Sequence, residues 1–80
     1  MQRDLALQKT FGGVLRQFRL KKGLSQEALA LESGLDRTFV SMLERGLRQP
    51  TLSSLFALAE ALRIPASRIV RLTEKDISSS

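Results

Sequence analysis

A row of side chains in one short stretch carries the clearest chemical signal in this 80-residue sequence: Arg37, Thr38, Ser41 and Arg45. On a helix turning about 100° per residue they cover an arc of about 100°, while Phe39, Val40 and Leu43 fall on the other side. Arginine presents paired N–H groups that match guanine O6 and N7, or a phosphate. Threonine and serine hydroxyls bond base edges, and the threonine methyl packs against that of thymine. Met42 lies on the flank of the arc and offers apolar contact only. The bland alternative is a solvated helix face. In either case the row suits recognition rather than bond-making chemistry.

The remaining composition points the same way. Cysteine and histidine are absent, which removes disulfides, thiolate metal ligands, the commonest general base and the commonest neutral metal ligand. There is no tyrosine or glycine-rich phosphate loop, and the acidic residues form no convincing pair. An enzyme is the least favoured class, and no metal or cofactor is expected. No apolar run approaches the roughly 20 residues that span a bilayer. The opening MQRDLALQK, with Asp4 and Lys9, lacks a signal-peptide apolar region. A cytoplasmic protein is expected, associated with the nucleoid if it binds DNA. Lys and Arg number 13 against 8 Asp and Glu, a net charge of +5. That excess suits nucleic acid or another acidic partner, although basic proteins without such partners are common.

Helices carry this row and the chain around it. Leu7, Phe11, Val14, Leu15 and Phe18 recur at helical spacing and predict a first helix over about Gln8 to Lys22, with a start one turn earlier left open. Gly23 ends it, and Gly12-Gly13 weakens its early part. Ser25 caps a second helix that Gly34 stops. Asp36 caps a third, Arg37 to Arg45, that Gly46 stops, and Thr51 caps a fourth. Leu52, Leu55, Phe56, Leu58, Ala59 and Leu62 form the fourth helix's wide apolar face, until Ile64-Pro65 breaks it. A short fifth helix is expected over about Ala66 to Leu72, and the tail 73–80 is expected to fray. With no period-two segment or hairpin signal, the expectation is one all-α domain, 1–80, its core over about 8–72 and its motif over 25–45. A domain this small often gains stability from a partner subunit.

Two helices that cross steeply need a small residue where they approach and a left-handed turn between them. Ala30 and Gly34 meet those needs, and Val40 can plug the gap from the third helix, with Leu29, Leu35 and Leu43 completing the inner face. This is the helix-turn-helix spacing. The flanks add Leu15, Arg19, GLSQ at Gly23 to Gln26, ERG at Glu44 to Gly46, and Pro50. On these residues the chain resembles the phage repressor and Cro-type helix-turn-helix regulators, the XRE family, over about Phe11 to Leu72. FGGVLRQFR and SGLDRTFVSMLERG also resemble the small controller proteins of restriction-modification systems.

The resemblance implies a compact five-helix lambda-repressor-like domain. It further implies a sequence-specific regulator of transcription, with the helix from Arg37 to Arg45 in the major groove of double-stranded DNA. Base reading then falls on Arg37, Thr38, Ser41 and Met42, and phosphate contacts on Ser25, Gln26, Arg45 and Arg48. Free N–H groups at the start of the second helix favour phosphate beside Gln26. Glu44 is placed at the core edge by the helical wheel, and the resemblance implies a structural ion pair with Arg19. Such regulators usually pair across a two-fold axis, so a homodimer on a (pseudo)palindromic operator is expected, with half-sites about 34 Å apart. The interface candidates are Ile69, Val70, Leu72 and Ile77, shared with the core, and Leu20 is a weaker one. Competing readings are a restriction-modification controller, the antitoxin half of a toxin–antitoxin pair, or a protein-interaction module without DNA binding; Arg37 and Arg45 argue against the last. Arg63, standing where a glycine cap is common, predicts a strained turn, and Pro65 replaces the usual polar cap of the fifth helix.

Overall fold

The chain's end signals and apolar stripes divide it into five helices. The computed structural model describes residues 2–79, with the side chains of 4–79; Met1 and Ser80, within the expected domain and tail, lie outside the described residues. In chain order the helices are α1 (Gln2–Lys21), α2 (Gln26–Ser33), α3 (Arg37–Glu44), α4 (Leu52–Leu62) and α5 (Ala66–Ser79). No strand occurs among the described residues, and the all-α class is as expected. Each predicted cap is in place. Ser25 Oγ accepts from the Ala28 N–H at 3.0 Å, and the Asp36 carboxylate accepts from the Thr38 N–H at 3.1 Å. Thr51 goes further and forms a capping box: its hydroxyl accepts from the Ser54 N–H at 3.0 Å, while Ser54 Oγ accepts from the Thr51 N–H at 2.8 Å.

All five helices supply wholly buried side chains to one core: Val14 and Leu15, Leu29, Val40 and Leu43, Leu58 and Leu62, and Ile69. α1 lies between α3 and α5 and packs on both, while α2 packs on α3 and α4. No described helix is long and apolar enough to cross a membrane.

Both end helices are longer than expected, for one shared reason. α1 starts at Gln2 rather than near Gln8, and α5 runs to Ser79 instead of fraying after Leu72. The added turns meet at their inner ends: Leu7 of α1 and Thr73 of α5 line one hollow of about 220 Å³ together with Phe11 and Val70. Thr73 is buried, with its hydroxyl donating to the Ile69 carbonyl at 2.8 Å. Polar composition hid this packing.

Gly12 shows why α1 tolerates a glycine pair. A Cβ there would overlap the Leu43 carbonyl oxygen and lie 2.6 Å from that of Glu44, because the α1 backbone crosses the end of α3 at this point. Gly13 has open space around it. The α4 face is narrower than predicted: Leu52 and Phe56 are 72% and 60% exposed. The buried side of α4 is centred on Leu55, Leu58 and Leu62, and Phe56 is turned about a third of a revolution from Leu62. At the end of α4, Arg63 takes a left-handed conformation with φ 59°, as its cap position predicts. Pro65 directly precedes α5 and its carbonyl accepts from the Arg68 N–H at 3.0 Å.

Candidate nucleic-acid interface

The angle between α2 and α3 follows from a few small residues. Gly34 adopts φ 73°, a conformation that most side chains resist. The chain reverses there, and the Leu35 N–H bonds the Ala30 carbonyl at 3.0 Å. Ala30 is 4% exposed and Val40 is wholly buried, so the third helix closes directly over the second.

This leaves the opposite face of α3 outward. Arg37 and Thr38, in its first turn, are exposed, and so are Arg45 and Arg48 at and beyond its end. Ser41 and Met42 between them are half-buried. Arg48 is held over the Phe39 ring, 6.0 Å from its centroid. Ser25 is exposed at the start of α2, and Gln26 is half-buried.

Beneath that face lies a polar network joining three helices. Arg19 of α1 donates from Nε to Glu44 Oε2 at 2.5 Å and from Nη2 to Glu44 Oε1 at 2.9 Å. Its remaining Nη1 donates to the Leu24 carbonyl at 2.8 Å. Gln26 Nε2, from α2, donates to Glu44 Oε1 at 3.1 Å. The Arg19 and Glu44 side chains are 9% and 3% exposed. The hydrogen bond to Glu44 holds the Arg19 pKa above its ordinary value, with the Glu44 charge adding to it and burial opposing. Arg19 is therefore a cation at any accessible pH. No described buried side-chain nitrogen or oxygen lacks a partner, which is the condition for a buried pair to be tolerated.

Two parts of this network are not visible in the residue spacing. The Gln26 amide, read as a phosphate clamp, spends one N–H on Glu44. The α1–α3 approach at Gly12 brings Glu44 within reach of Arg19, which lies two turns further along the same face of α1.

The apolar surface also differs from expectation. Ile69 is wholly buried in the core and is unavailable to a partner; Leu72 is half-buried and packs on that core. Val70 is 48% exposed and Ile77 half-buried. The larger exposed groups near Val70 are Leu52 and Phe56, which line a groove of about 390 Å³ with it. Sequence periodicity places both on the wide apolar face of the fourth helix.

Comparison with known proteins bears on this arrangement. Residues 15–69 match the family described as Helix-turn-helix. The chain is 36% identical over 69 residues to the uncharacterized HTH-type transcriptional regulator y4dJ of Sinorhizobium fredii, covering 86% of this chain and 90% of that protein. It is similar to the crystal structure of the restriction-modification controller protein C.AhdI from Aeromonas hydrophila, with a TM-score of 0.75 and 48% identity over 76% of this chain and 92% of that one. It also resembles the restriction-modification controller protein C.Esp1396I, solved as a tetramer in complex with its natural 35 base-pair operator (TM-score 0.80, 35% identity, 89% of this chain and 93% of that one). With the matched span running from the second half of α1 into α5, the chain belongs to the Helix-turn-helix family.

Proposed function

We propose that this protein is a sequence-specific regulator of transcription that lays α3 in the major groove of double-stranded DNA. The observation that carries this reading is the exposed pair Arg37 and Thr38 in the first turn of a helix whose other face is locked into the core. Arg37 would read guanine, Thr38 a base edge or methyl, and Ser41 and Met42 would make secondary contacts. Ser25, Gln26, Arg45 and Arg48 flank that row and would hold phosphates, fixing register without reading sequence. Glu44 would not repel those phosphates, because Arg19 neutralises it. No cofactor is required.

The same reading includes a homodimer. Its surface is proposed around Val70 with Leu52 and Phe56, in place of Ile69, and with Leu72 and Ile77 at most at its margin. Arg71 and Glu74 line the same groove, so the patch carries both signs beside an apolar strip and can pair with its own copy across a two-fold axis. The likeness to C.AhdI and C.Esp1396I favours the controller reading over the antitoxin one. On the controller reading, the chain would assemble on its operator as a tetramer, as C.Esp1396I does. Selection of bound duplexes from a random pool tests the proposal. It should enrich a (pseudo)palindrome with half-site centres about 34 Å apart. Equal binding of every duplex at physiological salt would overturn it.

A further inference from the structure

A second basic surface lies away from the α3 face. Between the end of α1 and α5 runs a groove of about 530 Å³ with Phe18 and Leu72 on its floor and Lys21, Arg68, Arg71 and Lys75 along its rim. Phe18 is 7% exposed and Leu72 half-buried, whereas the rim cations are all exposed. Arg68 is held in place over the Phe18 ring, 5.6 Å from its centroid. Among the described residues the ion pair is Arg19–Glu44, so none of these rim cations is neutralised by a carboxylate. Glu74 does not line this groove; it faces the two hollows on the far side of Arg71, one shared with Lys75 and one with Val70. Lys21 falls about half a turn round α1 from Gly12, the residue pressed on α3. DNA held by α3 would therefore leave this groove open.

We propose that the groove binds an acidic peptide segment of a partner protein, with an apolar anchor residue on Phe18 and Leu72 and carboxylates on the surrounding cations. Arg68, Arg71 and Lys75 follow one another along one face of α5 and span about 10 Å, the length of roughly three residues of extended chain. An arginine-lined trough is a recurrent receptor for acidic motifs. Its apolar floor sets the class apart: a phosphate backbone has nothing to place there, whereas a peptide alternates side chains of both kinds. The complementary charge would steer encounter, and the anchor would supply residence.

The test is fluorescence anisotropy of a labelled peptide of about ten residues, rich in Glu and Asp with central Leu and Phe, added to the full chain saturated with its selected operator. Binding is expected to persist under saturation. It should weaken roughly tenfold or more in Lys21→Glu/Lys75→Glu and likewise in Arg68→Glu, which lies outside the proposed dimer surface. Operator affinity of the double variant should stay near that of the wild type, which also certifies its fold. The proposal is overturned if the peptide does not bind, if the variants bind it equally, or if a peptide of equal charge with Gly in place of Leu and Phe binds equally. Displacement of the peptide by an unrelated duplex would overturn it too, by assigning the groove to nucleic acid. Should no operator emerge from selection, the same titration on the free chain keeps this question separate from the regulator reading.

Discussion

Glu44 stands next to Arg45 on the helix proposed to meet DNA, yet its carboxylate is turned under that helix and bonded by Arg19 and Gln26. Removing Arg19 would leave a buried, uncompensated anion, so Arg19→Ala is expected to cost about 3–5 kcal/mol in denaturant unfolding. Arg37→Ala, at an exposed position, should stay within about 0.5 kcal/mol of the wild type. A double-mutant cycle on Arg19 and Glu44 yielding under about 1 kcal/mol of coupling would mean that the pair behaves like an exposed one. At this scale the sequence was readable where chemistry is local. The caps at Ser25, Asp36 and Thr51, the turn at Gly34 and the outward Arg37 follow from residue type and spacing. The Arg19–Glu44 pair came through family resemblance. The Gln26–Glu44 bond had no signal, because it depends on two helices converging across a turn.

Glycines 12 and 13 are adjacent in sequence and opposite in consequence, which makes α1 a sharp test of helix packing. Gly12→Ala must push the α1 backbone off the last turn of α3, and a loss of about 2–3 kcal/mol is expected, at the upper end for an overpacked contact. Gly13→Ala adds a methyl in open space and should raise stability by about 0.5–1 kcal/mol. Thermal or urea unfolding of the two variants decides the matter; equal effects would contradict the crossing. At the end of α4, Arg63→Gly should relieve the left-handed strain and stabilise the fold by up to about 1 kcal/mol, read from the same unfolding curves. Helix existence and order were legible from periodicity, but two boundaries and one face were not. The last turns of α5 are mostly polar, and the first of them is buried where Thr73 lines a hollow with Leu7 and Phe11 of α1. Leu52 and Phe56 share the apolar period of α4, and a period alone does not say where burial stops.

At the scale of the molecule, that misplaced face becomes the proposed dimer surface. Phe56 is 60% exposed, so Phe56→Glu should fold normally. Sedimentation at micromolar concentration should find the wild type dimeric and this variant monomeric, with full-operator affinity reduced; a monomeric wild type, with and without DNA, would remove the two-fold reading. Whether α3 reads bases is decided by measuring binding of wild type, Arg37→Ala and Arg45→Ala to the selected operator and all its single-base-pair variants. Arg37→Ala is predicted to lose about 1–3 kcal/mol per half-site and its preference at one base pair, while Arg45→Ala weakens every sequence alike and flattens the salt dependence. An Arg37→Ala protein that keeps wild-type affinity and preference at every position would mean that this helix does not read bases through Arg37.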